Sequence, residues 1–380
     1  MAVKLGNGNW AVKENKLLAY NDNSGRFFNK EFDFSRGSSA TYVGKDGLIK
    51  SAASDVPRID FSDSTNGALL LEPQTTQIVT YSEDFSNASW SKSLVTIESG
   101  YLAPDGTLNA FKVSSGGGSL TTNPPTLQTT TRTIYARTVS GTGTAQLLSH
   151  NSNTNNIFTL TEQWQRFDLN ASGGTGFSTF YAVDFRGSGT LSEVILWGVN
   201  ATNDQSYATS YIPSLSGSTT TRLADVCNNS GSAQDFNSEE GVLYIEAKVK
   251  SDSNSSINSI GISNGTDSNR LSIIMYGNSD LIRANMNVSS VSQFDFLQYG
   301  NNPEQYYKIA VSYKQNDCKI FINGVKVGVD ISATMPSLGT FDRLNLDIGN
   351  NLYDFYGNVK DLQLFTEAKS DEFLAALTTI

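Results

Sequence analysis

The sequence predicts an all-β protein, with two tandem antiparallel β-sandwich (jelly-roll) domains preceded by an extended, irregular N-terminal attachment region. Three observations carry that expectation. The chain has 380 residues, too many for one ordinary core, so two or three domains are expected. Charged residues make up only 17% of it, aromatics reach 11%, and there are 32 glycines. Ordinary domains carry about a quarter charged residues, and few charges with many turn formers suit short strands joined by tight turns. Finally, several runs alternate apolar and polar residues with the period of two that turns one face of a strand toward a core.

Residues 1–34 read as a docking or attachment segment. Trp10 to Tyr20 is expected to form a strand pair or a short helix, and Asn21-Asp22-Asn23-Ser24-Gly25 a turn. The segment is too small for its own core, so a partner subunit or a second copy is expected to cover it. Residues 35–79 read as an irregular connector, with Asp46-Gly47 at a tight turn and the run from Ala68 to Leu71 as a strand stopped by Pro73. Long irregular stretches are uncommon inside compact domains, so neighbouring chains are expected to order it.

Residues 80–215 read as a first β-sandwich. In Thr133–Val139, Ile134, Ala136 and Thr138 share one face, and Tyr135, Arg137 and Val139 the other. Phe180–Phe185 and Val194–Val199 are further strands, while Gly116–Gly118 and Gly173-Gly174 mark loops. Residues 216–380 read as a second sandwich. Here Leu243, Ile245, Ala247 and Val249 are expected to face a core, and Glu246, Lys248 and Lys250 to face water. Tyr307–Tyr313 repeats the pattern. Asn323-Gly324 supplies the positive φ of a type I′ hairpin turn. A short helix closes the chain, with Ser370 as N-cap, Asp371 and Glu372 at its positive end, and an apolar stripe of Phe373, Leu374 and Leu377.

The formal net charge is −10 and no basic run occurs, which argues against a nucleic-acid or anionic-membrane surface. No apolar run approaches the roughly 18 residues needed to cross a bilayer. Met1–Trp10 lacks the apolar core of a secretory signal, so synthesis in a cytoplasm without membrane insertion is expected. The single histidine, His150, lies in a polar loop with no nucleophile signature nearby, so neither a Ser-His-Asp site nor a histidine metal site has a basis. Paired carboxylates on one strand are a common glycosidase pattern. The closest approach, Glu31-Phe32-Asp33-Phe34-Ser35-Arg36, ends in arginine. No glycine loop opens a helix in the manner of a phosphate site. No catalytic residue is named, and the chain is read as non-enzymatic.

Cys227 and Cys318 read as buried thiols rather than a disulfide framework. Asn264–Asn269 and Asn278-Ser279-Asp280 offer the oxygen ligands that Ca²⁺ takes, although such tips also serve as plain turns, so Ca²⁺ is left open and no other cofactor is expected. Sugar binding needs aromatic faces and planar polar groups. Trp90, Trp164 and Trp197 are the tryptophans of the first sandwich, and Trp164 and Trp197 are expected in its core. In the second sandwich, Tyr299 and Tyr353 fall in loops and are the candidate carbohydrate-binding residues.

Two resemblances extend this reading. Gly241–Val249, Tyr307–Tyr313, Ile320–Val325 and Tyr356–Phe365, followed by Ala368–Phe373, make residues 236–380 resemble a laminin-G-like or concanavalin-A-like sandwich. That likeness implies a two-sheet jelly roll used to bind glycans or proteins; the carboxylate strand of its hydrolytic members is absent here. A second set of motifs comprises Arg36–Tyr42, Asp46–Ile49, Pro57–Asp60, Leu70–Gln74, Tyr81–Asn87 through Trp90, Ala103–Gly106, Tyr211–Pro213 and Arg222–Val226. These resemble modular bacteriophage tail, fibre and head-decoration proteins, and the first sandwich is similar to carbohydrate-binding jelly rolls. The likeness implies a virion fibre or appendage protein, a homo-oligomer with a trimer favoured. It would be attached to other virion proteins by its N-terminal segment and would adhere to host-surface glycans. A purely structural decoration protein and a polysaccharide-degrading enzyme are the alternatives. The motifs read as architectural, and no binding residue is taken from them.

Overall fold

The computed structural model describes residues 2–6, 10–13, 15–21, 26–124, 130–149, 156–171, 179–203, 205–250 and 257–380. They are nearly all β, with one helix among the described residues, Asp371–Thr378. None of the described helices is long and apolar enough to cross a membrane. His150 and Gly173-Gly174 lie outside the described residues.

In the first sandwich, one sheet is built on Glu193–Thr202, flanked by Ala110–Ser114 and Thr130–Arg137. The facing sheet runs Ser91–Ser93, Ser119–Thr122, Phe180–Asp184, Gly143–Leu147, Ile157–Leu160. The alternation in Thr133–Val139 holds: Ile134 and Ala136 enter the core between the sheets, with Phe85, Trp90, Leu120, Val183 and Leu196. Tyr135 points the other way, toward an outer cluster with Trp197, Tyr211 and Ile49.

In the second sandwich, Glu240–Val249 lies between Tyr307–Lys314 and Gly357–Phe365. The opposing sheet is Val291–Gln298, Ile282–Val288, Arg270–Tyr276, Ile257–Ser263, Arg343–Asn345. Leu243, Ile245, Ala247 and Val249 fill the core as their spacing requires. The opposite face is not simply wet. Val242 and Tyr244 on that face are covered by Leu374 of the closing helix. The helix starts where the sequence places it, with Ser370 Oγ accepting from the Phe373 amide at 3.3 Å. Asn323 and Gly324 have φ of 50° and 84°, the turn that Asn-Gly predicts. Cys227 and Cys318 are both buried and free.

The N-terminal segment packs on this chain's own second sandwich. Ala11–Lys13 and Lys16–Asn21 form the strand pair, so the helix alternative fails. Ala2–Gly6 pairs antiparallel with the last strand, Val3 opposite Leu364. Trp10 Nε1 donates to the carbonyls of Val359 and Lys360 at 3.0 and 3.1 Å. The physical reason is an open edge: Gly357–Phe365 would otherwise present unpaired amides and carbonyls along one side. Residues 35–79 share that edge, Leu69 to Leu71 pairing with Val359 to Gly357. A few residues later, Thr75–Gln77 joins the first sandwich, between Glu193–Thr202 and Thr220–Arg222. The connector is therefore paired to both of the chain's own sandwiches.

At its centre is a buried ionic cluster. Arg58 Nη1 donates to Glu72 Oε2 at 2.8 Å and Nη2 to Asp225 Oδ2 at 2.6 Å. Arg36 Nη1 meets Asp225 Oδ1 at 3.0 Å, and Arg222 Nη1 meets Glu72 Oε2 at 2.7 Å. All five side chains are at most 1% exposed. The remaining valences are largely met by Ser210 Oγ and by the carbonyls of Ser38, Thr41, Ala53 and Pro73. A second lattice ties Tyr211-Ile212-Pro213-Ser214 to the Tyr81 motif. Tyr211 Oη lies 2.7 Å from Ser82 Oγ and donates to Glu83 at 2.9 Å, and the Ser214 amide donates to Ser82 Oγ at 2.9 Å.

Removing one member of a buried ion set strands its partners in low dielectric, at about 3–5 kcal/mol. Arg58→Met is expected to lower unfolding stability by about that amount, read as a shifted urea midpoint. Glu98→Gln, which breaks the exposed pair with Lys112, is expected to leave the midpoint in place.

Candidate functional site

The connector holds the outer face of the first sandwich against the outer face of the second, and a cleft of about 550 Å³ remains between them. The first sandwich contributes Tyr135, Trp164 and Arg166. The connector contributes Tyr42, Val43, Asp60, Asp63 and Glu72, and the second sandwich Lys248, Lys250 and Asn358. Strand periodicity explains the last group: Lys248 and Lys250 alternate with Ala247 and Val249, whose side chains enter the core.

Trp197 and Trp90 are core residues, but Trp164 is only partly buried and lines the cleft. Its Nε1 donates to the Leu102 carbonyl at 3.1 Å, and the Arg137 guanidinium lies 5.3 Å from its ring centroid. The expectation that Trp164 is a core residue is thereby corrected. Gln163-Trp164-Gln165 enters a strand at the sheet's rim, where the outer face has no second layer to cover the indole.

The three lining carboxylates are each held by donors. Asp60 accepts from the Val43 amide at 2.8 Å and from the amide and hydroxyl of Ser62. Asp63 accepts from Lys248 Nζ and from Tyr306 Oη, the latter at 3.1 Å. Glu72 belongs to the ionic cluster. Burial opposes ionisation at Asp63 and Glu72. Lys248 outweighs it at Asp63, and Arg222 with Arg58 outweighs it at Glu72, so both carboxyls sit below their ordinary values, Glu72 far below.

The cations are less completely matched. Arg166 Nη2 donates to Thr133 Oγ1 at 3.1 Å and to the Thr209 carbonyl, yet its buried Nε–H has no acceptor. Lys250 Nζ lies 5.7 Å from the Tyr207 ring centroid and pairs with no carboxylate among the described residues. Burial pushes its ammonium below the ordinary lysine value.

Tyr299 and Tyr353 are 59% and 51% exposed. They stand at opposite ends of one sheet. Tyr299 adjoins the Asp280 tip, where the amides of Gly300 and Asn301 donate to Asp280 at 3.0 Å. Tyr353 adjoins the Asn264–Asn269 tip, where Asn350 donates to Asp267 at 2.9 Å. Arg270–Tyr276 runs from one tip to the other. The same separation divides the two segments with calcium-type oxygens, and oxygens of both accept bonds from their own turn or a neighbouring one. Asn264 Oδ1 takes Thr266 Oγ1 at 2.7 Å, and Asn269 Oδ1 takes the Ser289 amide at 2.9 Å. Among the described residues no group of three or more His, Cys, Asp or Glu is placed to hold a metal ion. Asp60, Asp63 and Arg166 were not named as site residues from the sequence; their signal was faint, a Pro-Arg-Ile-Asp motif read as architectural and a Trp-x-Arg alternation.

No family model matches the chain, and no curated protein matches it. Solved structures share the sandwich architecture over part of it. The Ruminococcus gnavus IT-sialidase CBM40 bound to α2,3 sialyllactose aligns at 16% identity over 40% of this chain and 93% of its own, with a TM-score of 0.34. Domain 4 of AbnA, a GH43 extracellular arabinanase from Geobacillus stearothermophilus in complex with arabinotriose, aligns at 14% identity over 46% and 84%, with a TM-score of 0.35. The Caenorhabditis elegans galectin LEC-6 aligns at 15% identity over 33% and 83%, with a TM-score of 0.24. At these scores the likenesses say nothing about the chemistry of the cleft.

The floor of the cleft titrates in a defined direction. The folded Glu72 carboxyl is held below its unfolded value near 4.5, so its stabilisation is complete above that pH and is lost as pH falls toward the folded value. Urea midpoints measured from pH 7 down to 3 are expected to fall below about pH 4.5. Glu72→Gln is expected to be less stable at pH 7 and to show a flatter profile over that range.

Proposed function

We propose that this protein is a glycan-binding adhesin and that the cleft between its sandwiches is the binding site. The observation that carries this reading is the pairing of a partly exposed indole, Trp164, with hydrogen-bonding groups of both kinds inside one concave space. Pyranose rings offer C–H faces that pack on aromatic rings and hydroxyls that both donate and accept. Asp60 and Asn358 supply acceptors, and Arg166 and Lys250 supply donors.

The reading is one of binding rather than bond cleavage. A glycosidase needs one carboxyl kept protonated near neutral pH beside a second, ionised one. In this cleft Asp63 and Glu72 are both biased toward the ionised form, which leaves them poor proton donors.

The proposal extends to location. The motifs resembling modular bacteriophage virion proteins include Arg36, Arg58, Glu72, Arg222 and Asp225, and all five belong to the buried ionic cluster. A shared joint of this kind suits a fibre or appendage protein displayed on a virion, made in the bacterial host cytoplasm and assembled as a trimer, where weak single sites gain by multivalency. A purely structural decoration protein is the second reading, favoured by the same joint, since a rigid two-sandwich unit also serves as a spacer.

Trp164→Ala is expected to weaken saccharide binding about tenfold or more with the urea midpoint little changed, measured by calorimetry on glycans selected from an array. A folded wild-type chain that binds no saccharide on such an array overturns the adhesin reading and leaves the structural one.

A further inference from the structure

Inside the cleft, charge is unevenly satisfied. Lys248 is neutralised by Asp63, and Tyr306 joins that pair through its hydroxyl. Glu72 is committed to two arginines in the floor. What remains is Lys250, with no carboxylate partner among the described residues, and Arg166, whose buried Nε–H lacks an acceptor. They approach from different sandwiches, Arg166 from Gln165–Ala171 and Lys250 from the end of Glu240–Val249, and each feels the other's charge. Two like charges held together at a cleft wall, in a chain of net charge −10, are an arrangement that folding alone does not favour.

The carboxylates nearby offset it only in part: Glu72 and Asp63 act on Lys250 through space, while their ion pairs are made with Arg58, Arg222 and Lys248. Asp60 is the one lining carboxylate without a cation, and its oxygens are turned to the amides of Val43 and Ser62 and the Ser62 hydroxyl. Asp168 and Glu304 lie on the neighbouring rim with Lys250 but are exposed and unpaired with it. An incoming anion would meet the Lys250 ammonium and the unmatched Nε–H of Arg166, while its hydroxyls would find acceptors in Asp60 and Asn358.

We infer that the cleft selects an anionic saccharide, its acid group seated between Lys250 and Arg166 and its ring beside Trp164. The inference rests on the adhesin reading and adds the class of sugar. A charge-assisted hydrogen bond to a desolvated cation is stronger than a neutral one, which makes the acid group the larger source of discrimination. Carboxylated and phosphorylated sugars share this chemistry, and the two are separated by the probes below.

The test is calorimetric titration of the full chain with three oligosaccharide sets: neutral, uronate-containing and phosphate-bearing. Binding of either acidic set at least tenfold tighter than the neutral set, weakening as salt rises, is the expected result. Lys250→Gln is expected to lose about tenfold more toward the acidic set than toward the neutral one, while Lys250→Arg retains most of the binding. The tighter of the two acidic sets identifies the acid group. Equal binding of neutral and acidic sets, with Lys250→Gln changing both alike, overturns the inference and leaves the adhesin reading standing. Binding of none of them by folded protein removes both. Should Lys250→Gln fail to fold, the salt dependence and the neutral-to-acidic ratio of the wild type decide alone.

Discussion

Arg58 is the residue on which the arrangement of the molecule turns. Its guanidinium bridges Glu72 and Asp225, which are 153 residues apart in the chain, and each of those carboxylates is shared with a second arginine. Three cations and two anions out of water are costly unless every donor and acceptor is met. Carbonyls and Ser210 meet most of them here, although the Nε atoms of Arg58 and Arg222 find no partner. A hydrophobic contact of the same size would have tolerated sliding. The ionic set accepts only one register of connector against both sandwiches, and so it defines the width of the cleft above it.

Around that fixed point, each sandwich follows ordinary rules. Alternating strands bury one face, and the outer faces are closed by whatever lies to hand: the terminal helix over Val242 and Tyr244, and the connector hairpin over Trp197 and Tyr211. Where nothing covers an outer face, the cleft remains. Its second wall is steadied by Asp63, Lys248 and Tyr306, with Lys360 Nζ 3.5 Å from the Tyr306 ring centroid, a small clamp between connector and second sandwich.

Much of this was legible in the sequence where the signal is local. Period-two alternation located Thr133–Val139 and Glu240–Val249, Asn323-Gly324 marked its turn, and Ser370 marked the helix. The motifs containing Arg36, Arg58, Glu72, Arg222 and Asp225 were also visible, as joints. That they form one cluster was not, because ion pairs leave no periodic trace and Arg36 and Asp225 stand 189 positions apart. Trp164 misled for a related reason. An aromatic entering a strand normally points into a core, and only the tertiary gap between two outer faces exposes it. Lys248 and Lys250 were correctly placed on the non-core face, yet that face adjoins another domain as well as solvent.

The pairing of Ala2–Gly6 with the last strand sets an order of events during synthesis. Val3 leaves the ribosome long before Leu364, and at about 5–20 residues per second the interval is on the order of 20–70 s. For most of it, Trp10 lacks its two carbonyl acceptors, and Ala68–Leu71, paired with Arg58–Asp60 on one side, lacks the last strand on the other. The first sandwich has all its strands but the Thr220–Arg222 edge strand by Thr202, with Tyr211–Ser214 following to close its outer cluster. The second must gather strands from both ends of the chain, so its assembly is the late and slow step.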